Sequence, residues 1–190
     1  MSNDTQPGRL IAVVGPSGVG KDSVIAGLCD RRPGLVLARR AITRPHDAGG
    51  EDHQALTPAA FRDRLAAGDF LLAWDAHGLH YGLPRGVLED LAAGRDVVAN
   101  LSRGVLAQAR ARVARLTVLS LTAMPRTLAD RLGARGRETP GQIAARLARA
   151  RPAFPPGIEL VELANDGPLH ETVDAALRGL FPEHPGKPRP

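Results

Sequence analysis

The segment Gly15-Pro16-Ser17-Gly18-Val19-Gly20-Lys21-Asp22-Ser23 gathers glycines, a lysine and oxygen-bearing side chains into one short stretch. Glycines let a loop curl without side-chain clashes, so that successive backbone N–H groups can point inward at an anion. Leu10 to Val14 ahead of the segment is an apolar run suited to a buried strand, and Val24 to Cys29 behind it suits a helix. The helix N-terminus adds unbonded donors and a positive dipole end. Lys21 then reaches the outer phosphates of a nucleotide. Residues 15–23 are therefore expected to form the nucleotide-binding P-loop. The common form of this pattern ends Gly-Lys-Ser/Thr, with the hydroxyl on magnesium. Here Asp22 takes that position and Ser23 follows. A carboxylate beside a triphosphate is unfavourable unless a cation lies between them. Two arrangements stay open: Asp22 holds magnesium, directly or through water, or it points away and Ser23 takes its place. A plain glycine-rich turn is the bland alternative; the spacing, the lysine and the flanking pattern weigh against it together.

A second concentration of chemistry lies in Arg39-Arg40-Ala41-Ile42-Thr43-Arg44-Pro45, followed by a loop from His46 to His53 that carries Glu51 and Asp52. A guanidinium offers two parallel charge-assisted hydrogen bonds to phosphate oxygens. A lone arginine is more often a solvated surface group. His53 suits phosphate, and Glu51 or Asp52 suits sugar hydroxyls. Arg131, Arg135 and Arg137 gather further on, the last two in the loop Arg135-Gly136-Arg137-Glu138.

The elements that must position these groups can be read from pattern and punctuation. Strands are expected at Leu35–Leu37, Phe70–Asp75, Leu79–Tyr81, Asp96–Leu101, Leu116–Leu121 and Ile158–Leu163. Helices are expected from Pro58 to Ala67 with Thr57 as cap, from Pro84 to near Gly94, and from Ser102 to Arg115. Others run from Pro125 to about Gly133, from Pro140 to Ala150 and from Glu171 to Leu180. Trp74 and Phe70 read as core. Such alternation predicts an α/β fold with a mostly parallel central sheet and helices on both faces. We expect one domain over 1–182, an inserted substrate-binding region over about 39–82, a lid over about 133–141 and a flexible Pro-rich tail over 183–190.

The chain has 190 residues, enough to bury one full core, and a formal charge of +5. Its arginines are dispersed, with no aromatic–basic interleaving and no finger spacing, so nucleic acid is not expected as a partner. Small phosphorylated substrates account for the charge. Cys29 is the only cysteine, so no internal disulfide forms. No run reaches transmembrane length and residues 1–9 lack a signal-peptide core, which predicts cytoplasmic residence without membrane attachment. The sequence leaves a monomer and a homodimer both open.

From the P-loop to the last helix the chain resembles the guanylate-kinase-like P-loop kinases, and among them the ribose 1,5-bisphosphate phosphokinase branch. The resemblance rests on residues 15–23 with the unusual Asp22, Arg40 to Pro45, Gly49-Gly50-Glu51-Asp52-His53 and His77 to Gly82. Asn100-Leu101-Ser102-Arg103 and Arg131 to Glu138 complete it. It implies ATP and Mg2+ as cofactors and ribose 1,5-bisphosphate as the acceptor, phosphorylated to 5-phospho-α-D-ribose 1-diphosphate with release of ADP. It further implies that Lys21, Arg131, Arg135 and Arg137 are catalytic, the arginines closing over ATP. Arg40, Arg44, Glu51, Asp52, His53, Tyr81 and Arg146 would bind substrate, with Asp22 and Ser23 on the metal.

Guanylate kinases read guanine with a Glu before the Tyr-Gly segment and acidic residues after the next strand. Those positions fall at Leu72 and near Asn100 and Ser102. A leucine cannot accept the guanine N–H donors, and leaving them buried without acceptors is costly. A second phosphate-binding Arg of that family falls near Asp47, and a phosphate-holding Tyr falls at His53. The pattern keeps phosphate features and drops base-reading ones. Two other readings stand beside it: a nucleoside monophosphate kinase with altered base choice, and a non-catalytic binding module.

Overall fold

The computed structural model describes residues 6–45, 52–134, 141 and 153–182. Strand β1 (Leu10–Val14) is buried at every position, because both of its faces are covered. It is the middle strand of a five-stranded parallel sheet with β2 (Val36–Leu37), β7 (Val97–Asn100), β8 (Leu116–Thr122) and β9 (Glu159–Ala164), in the order β2-β7-β1-β8-β9. Side chains alternate across a strand, so β1 feeds two cores. Leu10, Ala12 and Val14 join Val87, Leu91, Leu106 and Ala109 from helices α3 (Val87–Ala92) and α4 (Leu106–Arg112). Ile11 and Val13 join Val24, Ile25 and Leu28 of α1 (Lys21–Arg31) and Val173, Ala176 and Leu180 of α6 (Leu169–Leu180). The expected parallel sheet with helices on both faces is what the chain forms. Helix α5 (Pro125–Ala134) follows β8 and packs Leu128 into the second core.

Residues 41–84 build a second sheet, in the order β4-β3-β6-β5, from β3 (Ala41–Ile42), β4 (Gln54–Ala55), β5 (Phe70–Ala76) and β6 (Leu79–Pro84). Helix α2 (Pro58–Ala66) covers one face, stacking Phe61 on Phe70 with ring centroids 4.8 Å apart. Thr57 caps it by accepting from the Ala60 N–H, as the sequence indicated. The other face contributes Leu72 and Leu83 to the first core.

The helices after β6 and β7 differ most from expectation among the described residues. Pro84 ends β6 and does not open a helix; α3 begins at Val87. A proline at a strand end leaves out a donor that the ladder does not need there, and the Arg85 N–H closes on the Asp69 carbonyl instead. The segment read as a helix from Ser102 to Arg115 is shorter: a 3-10 turn over Arg103–Val105, capped by Ser102, precedes α4. Among the described residues no helix is long and apolar enough to cross a membrane.

Candidate active site

The loop after β1 is shaped by its glycines. Gly18 and Gly20 have φ of 83° and 91°, in the left-handed region. A Cβ on Gly20 would also meet the Asn165 amide nitrogen at 2.7 Å. The loop therefore needs glycine there for two reasons, conformation and space. Lys21 opens α1 and folds back over the loop, its Nζ donating to the Gly15 carbonyl at 3.0 Å and the Pro16 carbonyl at 3.2 Å. Asp22 and Ser23, in the first turn of α1, are both exposed. Asp22 Oδ1 accepts from Asn100 Nδ2 at 2.7 Å.

The outer wall of the loop is held by residues distant in sequence. Asn165, just beyond β9 and 4% exposed, donates through Nδ2 to the Val19 carbonyl at 2.7 Å and accepts from the Thr172 hydroxyl at 2.8 Å. Arg131 of α5 donates to the Asn165 carbonyl at 2.9 Å and lies 3.4 Å from the Val19 carbonyl. Arg131 thus sits against the glycine-rich loop in this structure. The sequence read residues 165–167 only as a turn. The Asn165 side chain could not be assigned a role there, because its partners lie on other elements.

The second sheet brings another group of cations together. Arg40 is buried, with its guanidinium carbon 5.2 Å from the Tyr81 ring centroid and 5.7 Å from that of Trp74. Trp74 and Tyr81 are cross-strand partners stacked at 5.4 Å, so Trp74 supports the arginine as well as filling core. Arg44 follows β3. Its backbone carbonyl lies 3.1 Å from His53 Nε2, and its Nη2 lies 3.5 Å from His53 Nδ1. A carbonyl only accepts, so Nε2 must carry the proton and Nδ1 then receives the guanidinium. His53, 1% exposed, faces Arg44 with both ring nitrogens. Arg44 Nε is buried with no hydrogen-bond partner among the described residues. A buried cationic donor in that condition is costly unless an anion supplies the acceptor. Asp52 is exposed and paired with Arg39 at 2.7 Å. Leu72 is fully buried opposite Leu83. Glu51, Arg135, Arg137 and Arg146 lie outside the described residues.

Ser102 and Arg103 follow β7, and the Arg103 guanidinium stacks over Phe154 at 4.0 Å and reaches Ser120 Oγ at 3.4 Å. Burial and the neighbouring Asp30 push the Cys29 thiol above its ordinary range, so it is not a poised nucleophile. Among the described residues no group of three His, Cys, Asp or Glu could cage a metal by itself. A hard cation here would take oxygen from Asp22, Ser23, water and the nucleotide, as magnesium does at phosphate sites.

A parallel sheet with a glycine-rich loop after its central strand, together with a second, smaller sheet, is the fold of the guanylate-kinase-like P-loop kinases. The fold matches the crystal structure of guanylate kinase from Anaplasma phagocytophilum with a TM-score of 0.68, over 94% of this chain and 89% of that one, at 15% identity. No family model matches the chain. Ribose 1,5-bisphosphate phosphokinase PhnN of Ruegeria sp. (strain TM1040) is 47% identical over 173 residues, covering 90% of this chain and 91% of that protein. The bifunctional ribose 1,5-bisphosphokinase-thymidine phosphorylase of Cupriavidus necator is 47% identical over 169 residues, and this chain spans only 28% of its length. The chain belongs to the ribose 1,5-bisphosphate phosphokinase family.

Proposed function

We propose that the chain transfers the γ-phosphoryl group of ATP to the 1-phosphate of α-D-ribose 1,5-bisphosphate, releasing ADP and 5-phospho-α-D-ribose 1-diphosphate. An oxygen of the acceptor 1-phosphate attacks the γ-phosphorus, and the bond from that phosphorus to the β,γ-bridging oxygen breaks. The attacking group is already ionised, so no general base is required, and positioning with charge stabilisation carries the step. The P-loop N–H groups and Lys21 hold the triphosphate. Arg44, kept in place by His53, supplies a fork to an acceptor phosphate, and Arg40 and Tyr81 offer further contacts. Asp22 and Ser23 would hold magnesium, which when bound would neutralise phosphate charge. We assign Arg135 and Arg137 to a lid that excludes water, and Arg146 to a further phosphate contact. The reading carries with it a cytoplasmic setting, where ATP and sugar phosphates are found.

The observation that carries the acceptor choice is Leu72. It stands where guanylate kinases place a base-reading carboxylate, and it is fully buried against Leu83. Guanine N–H donors find no acceptor from this position. The test supplies ATP and magnesium with ribose 1,5-bisphosphate, GMP or AMP, and resolves products by phosphorus NMR. We expect a diphosphate at ribose C1 and little turnover of either monophosphate. GDP formation without activity on ribose 1,5-bisphosphate would overturn the proposal.

A further inference from the structure

We infer that Asn100 is the positioning residue for Asp22, and that the two form a transposed version of the pair that P-loop enzymes set beside their nucleotide phosphates. The inference rests on the phosphoryl-transfer reading above. P-loop enzymes hold magnesium with a hydroxyl at the start of the helix and a carboxylate at the end of a strand. In this chain the helix position carries the carboxylate, Asp22, and the strand end carries an amide, Asn100. One negative charge remains in the pair, on the other element.

The fold fixes Asn100 in this place. β7 lies directly beside β1, with Asn100 opposite Val13, and the Leu101 N–H closes on the Val13 carbonyl at 3.0 Å. Side chains along β7 alternate: Val97 and Ala99 enter the first core, and Val98 enters the core that contains α1. Asn100 shares the parity of Val98 and so points toward α1. Its amide lies 2.7 Å from Asp22 Oδ1. A carboxylate only accepts, so the donor must be the amide nitrogen. Asn100 is 8% exposed, whereas Asp22 is exposed. The restraint therefore runs from a strand-anchored amide to an exposed carboxylate. An aspartate at 100 facing Asp22 at this distance would need a proton or a cation between the two groups. The asparagine removes that conflict, and the positive end of α1 favours the charge on Asp22.

The test uses the full chain and three variants: Asn100→Ala, Asp22→Ser and the exchange Asp22→Ser/Asn100→Asp. Thermal melts check folding. Calorimetry then measures the ATP dissociation constant in EDTA and in magnesium, and the ratio of the two is the magnesium-linked gain. Asn100→Ala is expected to lower that ratio about tenfold, as for loss of an outer partner of a metal ligand, while the value in EDTA moves less than about twofold. The exchange variant restores a hydroxyl on the helix and a carboxylate on the strand. It should return the ratio to within about threefold of the unaltered protein, with Asp22→Ser alone well below it. An unchanged ratio in Asn100→Ala, or an exchange variant no better than Asp22→Ser, overturns the inference. So does an equal loss of ATP affinity in EDTA and in magnesium, which would make Asn100 structural only. An unaltered protein that gains nothing from magnesium overturns the kinase reading itself, a separate result from a gain that survives loss of Asn100.

Discussion

Lys21 and Arg44 show how differently two cations can be held in one site. The Lys21 ammonium rests on carbonyls of its own loop, 3.0 Å and 3.2 Å away, contacts that phosphate oxygens can replace at little cost to the fold. Lys21→Ala should therefore lower kcat roughly 10²–10³-fold, the scale for loss of one charge-stabilising donor. The melting temperature should stay within about 2 °C of the unaltered protein. Steady-state assays beside a thermal melt check this, and near-normal turnover would reject the assignment. Arg44 keeps a buried Nε without a partner among the described residues. Arg44→Lys preserves the charge but loses the fork and that donor. We expect the KM for ribose 1,5-bisphosphate to rise about tenfold or more, with the KM for ATP within about twofold, because the glycine-rich loop proposed for ATP follows β1 of the other sheet. Equal changes in both constants would remove Arg44 from the acceptor site. Both residues were legible in the sequence, because loop spacing and arginine chemistry are local. The role of Asn100 was not: the sequence showed it as part of a family motif and as a lost carboxylate, and its partner lies 78 positions away.

Asn165 and Asp166 tie three elements together at the level of strands and helices. Asn165 links the glycine-rich loop to α6 through Val19 and Thr172. Asp166 accepts from the Met124 N–H at 2.9 Å and so caps the start of α5. That bond, with one from the Thr127 hydroxyl and the nearby Arg131 and Arg126, holds the Asp166 carboxyl below its ordinary range. Asn165→Ala leaves the Val19 carbonyl and the Thr172 hydroxyl without their partner. The expected loss is about 1–3 kcal/mol of stability, or roughly 2–10 °C in melting temperature. ATP should bind more weakly while acceptor binding is spared. Thermal denaturation and ATP calorimetry check this; a stable variant with normal ATP affinity would contradict it. The sequence identified these residues as a turn and went no further, since turn chemistry says nothing about what the turn grips. It likewise missed β3 and β4: strands as short as Ala41–Ile42 and Gln54–Ala55 show no alternation to read. The apolar runs at β1, β7 and β8 were plain, because a strand buried on both faces is mostly apolar.

For the molecule as a whole, Asp96 and Arg9 fasten the near end of the central sheet. Asp96 accepts from the Arg9 backbone N–H at 2.7 Å and from its guanidinium at 2.8 Å, and Arg9 also donates to the Leu180 carbonyl at 2.9 Å. Burial alone would raise the Asp96 carboxyl; the Arg9 hydrogen bonds and the charges of Arg9 and Arg115 outweigh it and hold it below the ordinary range. A carboxyl lowered on folding contributes fully above its unfolded value, about 3.9, and that contribution disappears as pH falls through the folded value. Asp96→Asn should melt lower than the unaltered protein at pH 7 and lose less on acidification from about pH 5 to pH 2. Melting curves across that range check the slope. An unchanged acid limb would show that the pair does not govern acid stability. Composition limited the chain to one core-sized unit with a phosphate-seeking charge, but it did not indicate this fastening, which joins residues 87 positions apart.

The stacked pair in the second sheet also makes the protein its own optical instrument. Trp74 and Tyr81 are the sole tryptophan and the sole tyrosine of the chain, and their rings lie 5.4 Å apart. At that spacing light absorbed by the tyrosine is expected to pass to the tryptophan, so the folded protein should emit mainly from the indole. Phenol emission should rise when β5 and β6 separate. One spectrum therefore follows the opening of this sheet, while circular dichroism follows the helices around the parallel sheet. Coincident curves on heating mean that the two sheets unfold as one unit, and an earlier return of phenol emission means that the second sheet opens first.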